Sequence, residues 1–133
     1  MTTCRFQPIK DKAEEIIQSI IHVDEVANLP YLAYTIHLVV EEIVVNIVNY
    51  AYPDGEGYLV VRVHNDQQAL SLEFRDHGLP FNPLEQPVPD LDKPLEERTI
   101  GGLGIFLTKE MMDDTQYRYE QGENILVIKK NLE

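Results

Sequence analysis

Cysteine is almost missing from this chain. The single thiol, Cys4, excludes an internal disulfide and any paired-cysteine metal site, a usage that suits a reducing cytoplasm. Basic side chains are scarce too: 11 Lys and Arg stand against 23 Asp and Glu, a formal net charge of -12. Such a surface repels phosphate backbones and anionic lipid, so neither nucleic acid nor a membrane is an expected partner. A nucleotide is not excluded, because helix N-termini and backbone N–H groups bind phosphates locally and magnesium supplies positive charge. The opening "MTTCRFQPIKDKAEE" has no basic start and apolar run of a secretory signal, and no uncharged run approaches the roughly 18 residues that span a bilayer. The expectation is a soluble cytoplasmic protein. Internal repeats, low-complexity tracts and charged tails are also lacking.

What is present reads as one domain over residues 1–133. Hydrophobic residues at 44% and charged residues at 26% are the balance of a globule, not of a disordered tail. Thr3 to Ile9 alternates weakly and predicts an edge strand. The apolar spacing of Ala13, Ile16, Ile17, Ile20 and Ile21 predicts a first helix, with Asp11 as its N-cap. Leu32, Ile36, Val40, Ile43 and Ile47 predict a second over Tyr31 to Tyr52, stopped by Pro53. "GYLVVRVHND" and "QALSLEFRD" predict a hairpin turning at "NDQQ". From Leu79 to Thr99 five prolines interrupt an acidic stretch, a loop of about 20 residues whose length inside a small domain marks a lid or binding segment. A third helix follows from Ile105 to Met112, and "TQYRYEQGENILVIKKNL" predicts a closing hairpin that turns near Gly122. The order β-α-α-β-β-loop-α-β-β implies an α+β two-layer sandwich, a mostly antiparallel sheet with three helices on one face.

Three patterns carry chemistry. On the second helix, Glu42, Asn46 and Asn49 fall within about 60° of one another at 100° per residue, while Val39, Val40, Ile43, Val44, Val45, Ile47 and Val48 fill the other angles. The bland alternative is the wet side of an amphipathic helix; the narrowness of the seam argues for burial against something polar. A carboxamide oxygen suits magnesium, and a carboxylate one turn away can take a proton from an attacking hydroxyl. "DHGLPF" follows a strand: Asp76 at its end can accept from an exocyclic amine, and Gly78 permits close backbone approach, although Asp-x-Gly alone reads as a turn. "IGGLGIF" opens a helix with glycines that free backbone N–H groups for phosphate. Neither the P-loop nor the dinucleotide-binding pattern is present.

In this order, "EEIVVNIVNYAY", "DHGLPFNPLE" and "PLEERTIGGLGIFLTKEMMDD" resemble the N, G1 and G2 boxes of the GHKL ATPase superfamily, and within it the small anti-sigma-factor serine kinases. The resemblance runs from about Tyr34 to the C-terminus. It implies a Bergerat-type sandwich that binds ATP with Mg2+, closed by a lid at about residues 79–100. By motif position Glu42 is the catalytic base and Asn46 the magnesium ligand. Asn49, Asp76, Gly78, Arg98, Gly101, Gly102, Leu103, Gly104 and Ile105 complete the nucleotide contacts, with Asp76 reading adenine. Arg98 is equally well read as a solvated lid charge. The implied partners are a STAS-domain anti-sigma-factor antagonist, phosphorylated on serine, and a sigma factor; family precedent also implies a homodimer. A binding module gated by nucleotide and transferring no phosphoryl group is the alternative. Two departures stand out: Tyr50 where the family often has His or Lys, and "NILVIKK", read as apolar and basic where the family often has Thr.

His37 and Glu41 at i, i+4 read as a surface contact in preference to a metal pair, and His77 as solvent-facing. Ser19 and Ser71 lack the context of a nucleophile, and Met111 and Met112 read as core.

Overall fold

A computed structural model describes residues 1–52, 56–85 and 102–132, with side chains omitted at 102–104. The chain runs β1 (Thr2–Phe6), α1 (Ala13–Ile21), α2 (Asp24–Ala27), α3 (Ala33–Tyr50), β2 (Leu59–Asn65), β3 (Ala69–Asp76), α4 (Gly102–Met111), β4 (Asp114–Glu120) and β5 (Glu123–Asn131). The strands form one sheet in the order β1-β2-β3-β5-β4, every neighbour antiparallel. This is the expected α+β architecture.

Alternation builds the sheet's inner face. Leu59, Val61 and Val63 of β2, Leu70, Leu72 and Phe74 of β3, and Leu126 and Ile128 of β5 are buried. Against them pack Ile16, Ile17 and Ile20 of α1 and Ile36, Val39, Val40, Ile43, Val44 and Val48 of α3. The outer face is charged: Arg62 lies 3.7 Å from its cross-strand neighbour Glu73, and Arg75 bridges Glu73 and Glu123.

Helix α3 is rich in β-branched residues, which have modest helix propensity, so its stability comes mainly from the apolar face it buries. With its leading turn, Pro30–Tyr50 is long and apolar enough to cross a membrane by length and composition, at mean hydropathy 1.5. In the fold it serves as the core helix between α1 and α4.

Several boundaries differ from the sequence reading. Asp11 caps nothing: it lies in a 3-10 turn, Lys10–Lys12, and Lys12 occupies the N-cap of α1 without a side-chain cap bond. The first helix ends at Ile21, where Val23 turns extended and starts the separate α2. The second helix starts at Ala33 after a 3-10 turn over Pro30–Leu32, and the edge strand ends at Phe6. The β2–β3 turn rests on Asn65 and Asp66, whose side chains accept from the backbone N–H groups of Gln67, Gln68 and Ala69 at 2.8 Å, with Gln67 at φ 72°. The closing hairpin turns at Gln121 and Gly122, both with positive φ. Most of the expected lid, with Arg98 and Gly101, lies outside the described residues.

Candidate active site

The inward series on β3 continues past Leu70, Leu72 and Phe74 to Asp76, which replaces an apolar side chain with a carboxylate at the strand's last inward position. Across the ladder its register partner on β5 is Asn124. Both are buried, 5% and 7% exposed, so two polar groups close one end of an apolar sheet.

The neighbouring backbone is shaped by Gly78. A Cβ there would lie 2.7 Å from the Ala51 carbonyl carbon and 2.8 Å from its Cβ, and the next amide, Leu79 N–H, donates to the Ala51 carbonyl at 3.1 Å. This glycine therefore lets the turn after β3 press against the end of α3, a different use from the approach to a base expected of it. Gly78 N–H also donates to Asp76 Oδ1 at 2.9 Å. His77 is exposed between the rings of Tyr52 and Tyr58, at 5.0 and 4.4 Å between centroids. The Tyr52 hydroxyl accepts from His77 N–H and donates to the Tyr58 carbonyl, and Tyr58 donates to Glu123 at 2.7 Å. That last bond leads the causes that push the Tyr58 phenol up to about 12.

Between α3, the β3–β5 end and the first turn of α4 lies a cleft of about 520 Å³, counted to its open mouth. Ile43, Ile47, Phe74, Ile105 and Leu126 make apolar walls; Asn46, Asp76 and Asn124 supply polar groups. Leu79 and Phe81 line it while remaining 58% and 44% exposed. Among the described residues no Lys or Arg lines it, and Lys109 is engaged instead with the Leu84 carbonyl at 2.9 Å.

The structure thus gathers Asn46, Asp76 and Ile105 around one cleft. Glu42 sits beside it, half-buried, and accepts from Asn46 Nδ2 at 3.3 Å. Asn49 stands apart, exposed and outside the lining, because it falls on the outer edge of the seam. Gly102 begins α4, so the G-x-G segment does open a helix beside the cleft. Tyr50 lines the cleft at 54% exposure. His37 and Glu41 form an exposed i, i+4 contact at 3.9 Å.

Electrostatics separate the two carboxylates from ordinary surface acids. Burial pushes Glu42 up, opposed by the Asn46 bond and assisted by Glu41. Burial also pushes Asp76 up, opposed by hydrogen bonds from Asn124 and Gly78 and by His77. With Asn46 Nδ2 committed to Glu42, its hard carbonyl oxygen remains for a cation. Among the described residues no three His, Cys, Asp or Glu side chains converge. A magnesium ion held through one amide oxygen, with substrate phosphates and water as its other ligands, fits this donor set.

The sequence reading missed Asn124. Grouping "NILVIKK" as apolar and basic passed over its first residue, which is buried beside Asp76. The signal was available: the inward alternation of β5, Leu126 and Ile128, extended back by two, lands on Asn124.

Comparison with known proteins agrees with this geometry. The family described as "Histidine kinase-like ATPase domain" matches residues 8–130. The chain is 30% identical over 129 residues to proteins named serine-protein kinase RsbW from Bacillus mycoides (strain KBAB4), Bacillus cereus (strain ATCC 10987 / NRS 248) and Bacillus thuringiensis (strain Al Hakam). Each alignment covers 91% of this chain and 81% of the relative.

Proposed function

Because the chain belongs to the histidine kinase-like ATPase domain family, we propose that it is an ATP-dependent protein-serine kinase of the anti-sigma-factor type. The observation that carries this reading is the convergence on one apolar cleft of a buried strand-end carboxylate, Asp76, and a helical amide, Asn46, bonded to a second carboxylate. The name borne by the relatives supports the same activity.

In this reading the purine ring enters between Ile47, Phe74 and Leu126, and Asp76 accepts a hydrogen bond from its six-amino group. Asn46 would hold Mg2+ through its amide oxygen, and the ion would supply charge neutralisation to the phosphates. Glu42 takes the proton of the acceptor serine hydroxyl as its oxygen bonds to phosphorus and the bond to the leaving ADP oxygen breaks. Its burial-raised pKa brings the base nearer neutral pH than an exposed glutamate would be. The acceptor is a serine on a STAS-domain antagonist, and the chain, as a dimer in the cytoplasm, sequesters a sigma factor when that antagonist is phosphorylated.

The position of Glu42 beside the cleft, not in its lining, favours a second reading: a protein-binding module gated by nucleotide, without transfer. Incubation with labelled ATP, magnesium and the STAS-domain protein encoded nearest to this chain separates the two. Label on a partner serine is expected. ATP binding without label in the partner would establish the module.

A further inference from the structure

The side chain of Asn124 uses its whole hydrogen-bonding capacity within the protein. Nδ2 donates to Asp76 Oδ1 at 3.0 Å and to the Leu79 carbonyl at 2.9 Å; Oδ1 accepts from Phe81 N–H at 3.1 Å and from the Tyr117 hydroxyl. The amide orientation follows from chemistry, because the flipped form would set its oxygen against a carboxylate and a carbonyl. One side chain therefore grips the end of β3, the chain leaving it at Leu79 and Phe81, and β4.

Both contacts to Asp76, from Asn124 and from Gly78 N–H, fall on Oδ1. Oδ2 is the oxygen they leave for a ligand. We propose that Asn124 is a positioning residue that makes recognition of a six-aminopurine and placement of the Leu79–Phe81 segment a single event. It rests on the reading of Asp76 given above. A base amine on Oδ2 favours the ionised carboxylate, which strengthens the Asn124 bond on Oδ1. The same amide then holds Leu79 and Phe81 in place, two exposed apolar side chains that a planar base would cover.

The experiment measures the affinity of ATP and of purine riboside triphosphate, which lacks only the six-amino group, for the wild-type chain and for Asn124→Val and Asn124→Thr. The two replacements are of nearly equal volume, and threonine alone keeps a hydroxyl donor. The wild-type chain should prefer ATP by about tenfold or more, as expected for a hydrogen bond to a charged group. The valine chain should lose most of that preference, and threonine should restore part of it at a similar apo melting temperature. A purely structural role would weaken both nucleotides equally. An unchanged preference in the valine chain, or equal loss in both variants, overturns the inference while leaving Asp76 as the base reader. A wild-type chain that binds both nucleotides alike removes the Asp76 reading and this inference with it.

Should the valine chain not fold, the wild-type chain decides through the side-chain amide nitrogen-15 resonance of Asn124. It should move with the same pH midpoint as ATP affinity. The titratable groups that act on Asp76 are His77 just after its strand, Glu123 on β5, Tyr117 on β4 and Tyr52 after α3. An Asn124 resonance flat across that midpoint sinks the proposal.

Discussion

Glu42 and Asp76 are both carboxylates raised by burial, yet replacing them should have opposite signatures. On the proposed kinase reading, Glu42→Gln keeps the contact to Asn46 and removes the base, so ATP affinity should stay within about threefold while transfer falls by about 10²–10⁴ in single-turnover assays. Asp76→Asn should weaken ATP strongly in calorimetry. Its effect on folding runs the other way. Because burial lifts the folded pKa of Asp76 above the ordinary 3.8, the native chain takes up this proton before the unfolded chain does. Stability therefore falls as pH rises from 3.8 through the raised value, and at neutral pH the ionised group costs stability. The apo melting temperature of Asp76→Asn at pH 7 should equal or exceed that of the wild type. ATP affinity of the wild-type chain should decline as pH falls through the same window, since a protonated carboxyl presents fewer acceptors. Asp76 was legible as the carboxylate that ends an alternating strand. The alternation of β5 turns Asn124 inward, but its partner Asp76, 48 residues away, is reported by no local pattern.

Helices and strands show where local pattern suffices. The alternation of β3 and the i, i+4 spacing of α3 gave their types and facing directly, because one face of each is apolar. The break between α1 and α2 was hidden, since "HVDEVAN" continues a helical pattern while Val23, packed against the core, turns the backbone extended. The role of Gly78 was half visible: the glycine was evident, its collision partner on α3 was not. Gly78→Ala should lower stability by about 1–3 kcal/mol through the clash with Ala51, read as a drop in melting temperature. Ile36→Ala, fully buried on α3 and outside the cleft lining, should cost about 2–5 kcal/mol and leave ATP affinity per folded molecule unchanged. A change in affinity there would mean that α3 moves as a unit when its packing loosens.

Charge belongs to the molecule as a whole. At a net -12, and with no Lys or Arg among the described residues that line the cleft, the proposed magnesium would offset the repulsion that nucleotide phosphates meet. Chelating magnesium should therefore lower ATP affinity at least tenfold, and added monovalent salt should recover part of the loss by screening, a reversal of the usual salt effect on phosphate binding. The strand order sets a further condition. β5, fifth in chain order among the described strands, lies between β3 and β4, and it carries Asn124 to Asp76. Synthesis from the N-terminal side therefore delivers Glu42, Asn46 and Asp76 well before the strand that sets Asn124 beside Asp76. A polypeptide ending before residue 123 would leave Asp76 without its β5 neighbour Asn124, and its ATP affinity should fall below detection in calorimetry.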